Sequence, residues 1–318
     1  HPHLASNTDF QRRFLQEARA AASLDHPNII KVLEFREIEG KLILVTDYVS
    51  GGSVREYLTY LAREGKMLDV GEALDLTRQV ADALAYAHAQ GMVHRDIKPD
   101  NVLLKPVTSG GTTNGFRAVL TDFGLAKLAE SIVQSMPGTT MGTYPYMSPE
   151  QCRGEEVDGR TDIYALGVML YELVVGRLPF NPKTITEAIR MHTSDPLPMP
   201  TQIRPGIPAA ISEIILKALA KSPSERYQSG SDMARALGNA AGVARSMVTI
   251  PPPKQPSAMP ESIPTTPESL LTYLASQPPI SDLPAYTAQA LPASQATMDR
   301  VIIASQSGET KTFALDKP

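Results

Sequence analysis

The feature that most narrows the fold is an ordered pair of polar loops around a short apolar run. His94-Arg95-Asp96-Ile97-Lys98-Pro99-Asp100-Asn101 is followed by Val102-Leu103-Leu104 and, after a polar stretch, by Thr121-Asp122-Phe123-Gly124. Each piece alone is commonplace. In this order, with a strand-like run between them, they share one chemical logic. Transfer of a phosphoryl group needs a carboxylate beside the attacking hydroxyl and hard oxygen ligands for Mg2+. Asp96, Asn101 and Asp122 offer those oxygens, and Lys98 offers a cation near the moving phosphoryl group.

The flanking pattern divides the chain. Phe10, Phe14, Ala18 and Ala21 recur at helical spacing behind Asn7-Thr8, and His26-Pro27 ends that helix. Two strand-like runs follow, 29–35 and 42–48, joined by a turn at Glu39-Gly40. Gly51-Gly52 breaks the pattern, and the chain to about Gly242 reads mainly as helices. Leu74, Val80, Ala83, Leu84 and Ala87 line one of them. Ile163, Leu166, Gly167, Leu170 and Leu173 line a more apolar, buried one. The polar stretch Lys105 to Arg117 reads as an enlarged hairpin loop. The expected class is α+β, with two lobes meeting near Gly51-Gly52.

The match to a known family extends well beyond the two loops. Gly142-Thr143-Tyr144-Pro145-Tyr146-Met147-Ser148-Pro149-Glu150-Gln151, Asp162-Ile163-Tyr164-Ala165-Leu166-Gly167 and the Arg226 of Lys-Ser-Pro-Ser-Glu-Arg-Tyr follow in order. With them, residues 1–242 resemble the eukaryotic-type protein kinases, in particular the bacterial Ser/Thr kinases. The resemblance implies a bilobal kinase fold that lacks the first strands of the small lobe and has a mostly helical large lobe. It implies ATP and Mg2+ as cofactors and protein Ser/Thr hydroxyls as acceptors, a choice favoured by Lys98 and Thr143. By position, Asp96 would be the base and orienter of the hydroxyl, Thr143 would tie Asp96 to Lys98, and Asn101 and Asp122 would hold Mg2+. Glu17 would be the helix carboxylate paired with the ATP-contacting lysine. Thr46 would be the gatekeeper, Asp47 and Val49 the adenine-binding backbone, Leu103 the floor under the ring, and Ser53 would stand at the ribose position, where many relatives carry a carboxylate. Glu150 would pair with Arg226. His94 and Phe123 would set loop geometry by packing. Thr139 and Thr140 are expected autophosphorylation sites in a segment that also offers Ser131 and Ser135.

The glycine-rich phosphate loop and the strand lysine do not occur in these residues, and we expect both upstream of His1. The alternative function is a catalytically impaired, kinase-shaped scaffold. Against it, both Asp96 and Asp122 are present.

Composition supplies exclusions. A net charge of −4 excludes a basic nucleic-acid-coating protein, and the single Cys152 excludes a disulfide framework. Cys152 is expected to be a packed thiol. A cytoplasmic setting fits, and no run approaches a membrane span. Of the 27 prolines, 11 fall between Pro251 and Pro292, which reads as a semi-extended linker. The expected units are 1–49 and 50–242 for the lobes, 243–297 for the linker and 298–318 for the start of a β-rich domain. Its strands around Gly308 resemble the opening hairpin of forkhead-associated domains, which implies phosphothreonine-peptide binding, with Thr265 or Thr266 as a docking point.

Overall fold

The structure, a computed structural model, describes residues 20–38, 41–107, 115–123, 144–247, 300–304 and 310–314. Strands β1 (Val32–Ile38) and β2 (Lys41–Thr46) pair antiparallel, with Val32 opposite Thr46. The first strand starts later than its apolar run suggests. Residues ahead of it turn aside to a different strand: Ile30 N–H donates to the Leu120 carbonyl at 2.9 Å, and Leu120 N–H to that of Asn28 at 2.8 Å. The Asn28 amide adds bonds to the Ala118 carbonyl at 2.7 Å and to Gln79 at 3.0 Å. The small lobe is thereby pinned to β4 of the large one.

After β2 come helices α1 (Val54–Arg63) and α2 (Val70–Ala89), then the antiparallel pair β3 (Val102–Pro106) and β4 (Phe116–Leu120). The expected hairpin is therefore present, and the tip of its loop lies outside the described residues. Helices α3 (Pro149–Arg153), α4 (Gly159–Val175), α5 (Ile185–Thr193), α6 (Pro200–Ile203), α7 (Ala209–Ala218) and α8 (Gly230–Met247) complete this body. The last helix runs past 242, because the first helix-breaking proline does not come until Pro251.

α4 is the axis of the core. Ile163, Leu166, Val168, Met169, Leu170 and Val174 are fully buried, as are Leu74, Val80 and Leu84 of α2. The start of α4 lies close against the end of α2 because Gly159 has no side chain: a Cβ there would lie 2.6 Å from Nδ1 of His88. Gly51 serves the hinge similarly, since a Cβ would come 2.0 Å from the Leu104 carbonyl. Among the described residues no helix is long and apolar enough to cross a membrane. At the C-terminal end, β5 (Arg300–Ala304) and β6 (Thr310–Ala314) pair with each other.

Candidate active site

The loop ahead of β3 is held in an unusual shape by a single carboxylate. Arg95 has φ of 69°, left-handed backbone that non-glycine residues avoid at a cost of about 1–3 kcal/mol. Asp162, buried in the first turn of α4, compensates. Its Oδ2 accepts from His94 N–H at 2.8 Å and from His88 Nε2 at 2.8 Å, and its Oδ1 accepts from Arg95 N–H at 2.7 Å. Gln151 in α3 takes the Arg95 carbonyl at 3.0 Å, so this backbone is clamped from both sides.

The fully buried His94 joins this loop to the next. Its Nε2 lies 2.7 Å from the Thr121 carbonyl and its Nδ1 accepts from Asp96 N–H at 3.2 Å. Only the neutral Nε2–H tautomer satisfies both bonds. Thr121 N–H returns a bond to the Asn101 carbonyl at 3.0 Å, and the Phe123 ring meets the imidazole at 4.6 Å between centroids. Asp122, exposed at φ of 64°, is thus set beside Asn101 through Thr121. His94 and Phe123 have the packing role expected of them.

Asp96, Lys98 and Asn101 come together directly. Lys98 Nζ sits 2.7 Å from Asp96 Oδ2. Asn101 Nδ2 donates to the Asp96 carbonyl at 2.7 Å and to its Oδ2 at 3.0 Å. One carboxylate oxygen is thereby fully engaged. The other, Asp96 Oδ1, is shielded from water and has no hydrogen-bond partner among the described residues. Such an orphan acceptor is costly unless a ligand donor completes it. With both Nδ2 hydrogens of Asn101 committed, its Oδ1 and the Asp122 carboxylate are oxygens available to a hard cation. That all-oxygen pair suits Mg2+, which takes one or two protein ligands and completes its shell with phosphate and water.

The hinge lies between β2 and α1. Thr46 ends β2, and Asp47 N–H donates to the Lys31 carbonyl at 2.9 Å, so any adenine contact from Asp47 falls to its carbonyl. Val49 follows in the same extended segment. In β3 the buried Val102 and Leu104 face the core, which turns the half-buried Leu103 to the other face. Ser53 acts as the N-cap of α1, its Oγ accepting from Glu56 N–H at 3.2 Å while Glu56 Oε2 accepts from Ser53 N–H at 2.7 Å. The Glu56 carboxylate is thus engaged in the capping box of α1. Glu17, Thr143, Ser131, Ser135, Thr139 and Thr140 lie outside the described residues.

The segment Tyr144 to Glu150 is anchored at three points. His192 Nε2 meets the Tyr144 carbonyl at 3.0 Å, and its Nδ1 meets the Tyr164 hydroxyl at 3.0 Å. Glu150 makes the expected pair with Arg226, bidentate at 2.7 and 2.8 Å, with Thr161 Oγ1 adding a bond at 2.7 Å. Burial pushes the Glu150 carboxyl up, but Arg226 outweighs it and holds the group below its usual value. The third anchor has no counterpart in the sequence reading. Tyr146 donates to Glu172 Oε2, and Arg55 donates to Glu172 Oε1 at 2.7 Å and to the Tyr146 hydroxyl at 2.5 Å. Burial first, then the Glu172 charge, push the Tyr146 phenol far above its ordinary range, so it stays a donor. Asp162 also had no assigned role, although a carboxylate opening an otherwise apolar helix is a readable signal. Cys152 is buried, and burial lifts its thiol to about 11, as a packed thiol should behave.

Comparison with known proteins agrees with this geometry. The protein kinase domain family matches residues 3–236. Serine/threonine-protein kinase Pkn1 of Myxococcus xanthus is 40% identical over 238 residues, covering 74% of this chain and 33% of that protein. Serine/threonine-protein kinase PrkC of Bacillus subtilis is 37% identical over 229 residues, covering 72% of this chain and 34% of that protein. The chain thus spans about a third of the length of these curated relatives. Among solved structures, the Mycobacterium tuberculosis PknI kinase domain superposes with a TM-score of 0.57 at 32% identity, covering 75% of this chain and 82% of that one.

Proposed function

This chain belongs to the protein kinase domain family, and we propose that it transfers the γ-phosphoryl group of ATP to Ser or Thr hydroxyls of proteins. The observation that carries the reading is the uncommitted Asp96 Oδ1, held in place by Lys98 and Asn101 on the opposite oxygen. An acceptor hydroxyl donates to Oδ1 and is oriented there. Its oxygen forms the bond to Pγ as the Pγ–O bond to ADP breaks, and its proton passes to Asp96. Lys98 supplies positive charge beside the moving phosphoryl group. Asn101 Oδ1 and the Asp122 carboxylate would hold Mg2+, which would neutralise charge on the phosphates when bound. Thr46, Asp47, Val49 and Leu103 form the adenine side, with Glu17 and Thr143 in the roles that the family pattern implies. The Ser/Thr preference draws support from Lys98 and from the names of the relatives. Dependence on ATP puts the reaction in the cytoplasm.

The units 1–49, 50–242, 243–297 and 298–318 remain our division of the chain, with α8 carrying the large lobe on to Met247. Phosphothreonine-peptide binding by the C-terminal unit draws its support from the resemblance around Gly308 and from the two paired strands.

The test is phosphate incorporation from labelled ATP into a mixed Ser/Thr/Tyr peptide set. Asp96→Asn keeps the size and the bonds to Oδ2 but weakens the acceptor, and it should cut turnover roughly 10²- to 10⁴-fold with unchanged circular dichroism. Near-normal turnover, or phosphotyrosine as the product, refutes the reading.

A further inference from the structure

We infer that Arg55 is a specificity-determining residue: its guanidinium occupies, from within the chain, the acidic recess where a basic side chain of an acceptor peptide would bind. The acceptors are then peptides without a basic residue at that subsite. This rests on the kinase reading and adds a substrate class to it.

The recess is built from three elements that meet beside the catalytic carboxylate. Glu172 lies on the last turn of α4, Asp100 in the turn directly after the Asp96 loop, and Tyr146 in the turn leading to Glu150. Arg55 bridges all three. Nη1 donates to Glu172 Oε1 at 2.7 Å, Nη2 to Glu172 Oε2 at 3.3 Å and to Tyr146 at 2.5 Å, and Nε to Asp100 Oδ2 at 3.3 Å. Asp100 shares the loop of Asp96 and bonds to Arg55, so side chains flanking an acceptor held at Asp96 come near the Asp100 edge of this recess.

Burial shows which group is the floor and which the lid. The Glu172 side chain is 10% exposed, Arg55 34% and Asp100 49%. A carboxylate as covered as Glu172 attracts a cation. The planar fork of arginine is the side chain that satisfies both of its oxygens at once. The chain supplies that fork from the first turn of α1, whose entry is fixed by the Ser53–Glu56 capping box. A peptide arginine arriving there would find Glu172 engaged and a like charge in its way.

The experiment uses pairs of threonine peptides that are identical except for Arg or Ala at each position from three before to three after the acceptor. Binding to the full chain is read by fluorescence anisotropy, and phosphate incorporation is followed in parallel. Wild type should favour the Ala member at one position and bind the two members of every other pair within about twofold. Arg55→Met keeps an apolar stem of similar length and removes the charge. It should prefer the Arg member about tenfold at one position, and adding Glu172→Gln should abolish the preference. Should Arg55→Met fail to fold, Glu172→Gln alone carries the test from the other side, because the freed guanidinium should then favour Asp over Ala at that position. Wild type that already prefers Arg, or a folded variant that binds both members equally or not at all, overturns the inference. Binding as expected without phosphate incorporation would sink the kinase reading and leave this one standing.

Discussion

Two arginine–glutamate pairs fasten α4 to the segment 144–150, and they differ in how far they are closed. Arg226 and Glu150 have side chains 0% and 6% exposed, and every guanidinium nitrogen is used. Besides Glu150, Nε reaches the Ala220 carbonyl at 2.9 Å, Nη1 that of Arg160 at 3.0 Å and Nη2 that of Lys221 at 3.1 Å, with the group stacked 4.9 Å from the Tyr164 ring centre. Arg55 and Glu172 share the same bidentate chemistry at 34% and 10% exposed. A sealed pair can do nothing but hold the backbone. A pair open on one side holds the backbone and also faces whatever docks there. The difference assigns rigidity to the Glu150 end and selectivity to the Glu172 end of one short segment.

The largest expected effect tests the sealed pair. Arg226→Met strands a buried carboxylate and the carbonyls around it. Urea unfolding should show a loss of about 3–5 kcal/mol. Arg55→Met leaves Glu172 its Tyr146 hydroxyl and some access to water, so its loss should be about 1 kcal/mol. Equal losses would erase the distinction.

Asp162 lies between the two pairs and is satisfied by N–H groups alone, with no guanidinium. Asp162→Asn turns one acceptor oxygen into a donor that faces other donors. We expect a loss of about 1–3 kcal/mol and, because the Arg95 turn relaxes, a fall in phosphate transfer of more than tenfold with KM for ATP little changed. Transfer that stays normal in a folded Asp162→Asn would show that the loop holds its shape without the α4 carboxylate.

What could be read from the residues in advance follows the same division. Asp96, Lys98 and Asn101 lie within one loop, so their spacing already implied their meeting. Glu150 and Arg226 were readable only through family resemblance, which supplied the long-range pairing. Arg55 and Glu172 are separated by 117 positions, and neither sits in a locally telling pattern, so only the folded chain brings them together. Local strand pattern erred at 29–31 for a related reason: Ile29 and Ile30 are apolar because they pack on β4, not because they extend β1.

A last effect separates the two ends by pH. His192 touches the Tyr144 carbonyl and Tyr164, whose ring lies under Arg226, so it belongs to the sealed end. Burial first, then the nearby Lys221 cation, lower its pKa from 6.5 to about 4. The unfolded chain therefore takes up this proton at pH values where the folded chain does not, and stability is lost as pH falls from 6.5 towards 4. Glu150, held below 4.5, adds its own loss only at lower pH. Glu72 acts in the opposite sense: burial raises it to about 7, so the folded chain gains stability as pH falls from 7 towards 4.5. The informative quantity is the difference between wild type and His192→Gln, in which the Glu72 contribution cancels. Glutamine can keep one donor and one acceptor, so the variant should be the less stable protein at pH 7. By pH 5 that gap should shrink by about 1–2 kcal/mol, because wild type alone now bears the cost of keeping an imidazole uncharged. The peptide preference gained by Arg55→Met should not move over this range, since neither Arg55 nor Glu172 contacts His192. A gap that stays constant between pH 7 and 5, or a peptide preference that drifts with it, would mean that the two ends of the segment are one coupled unit.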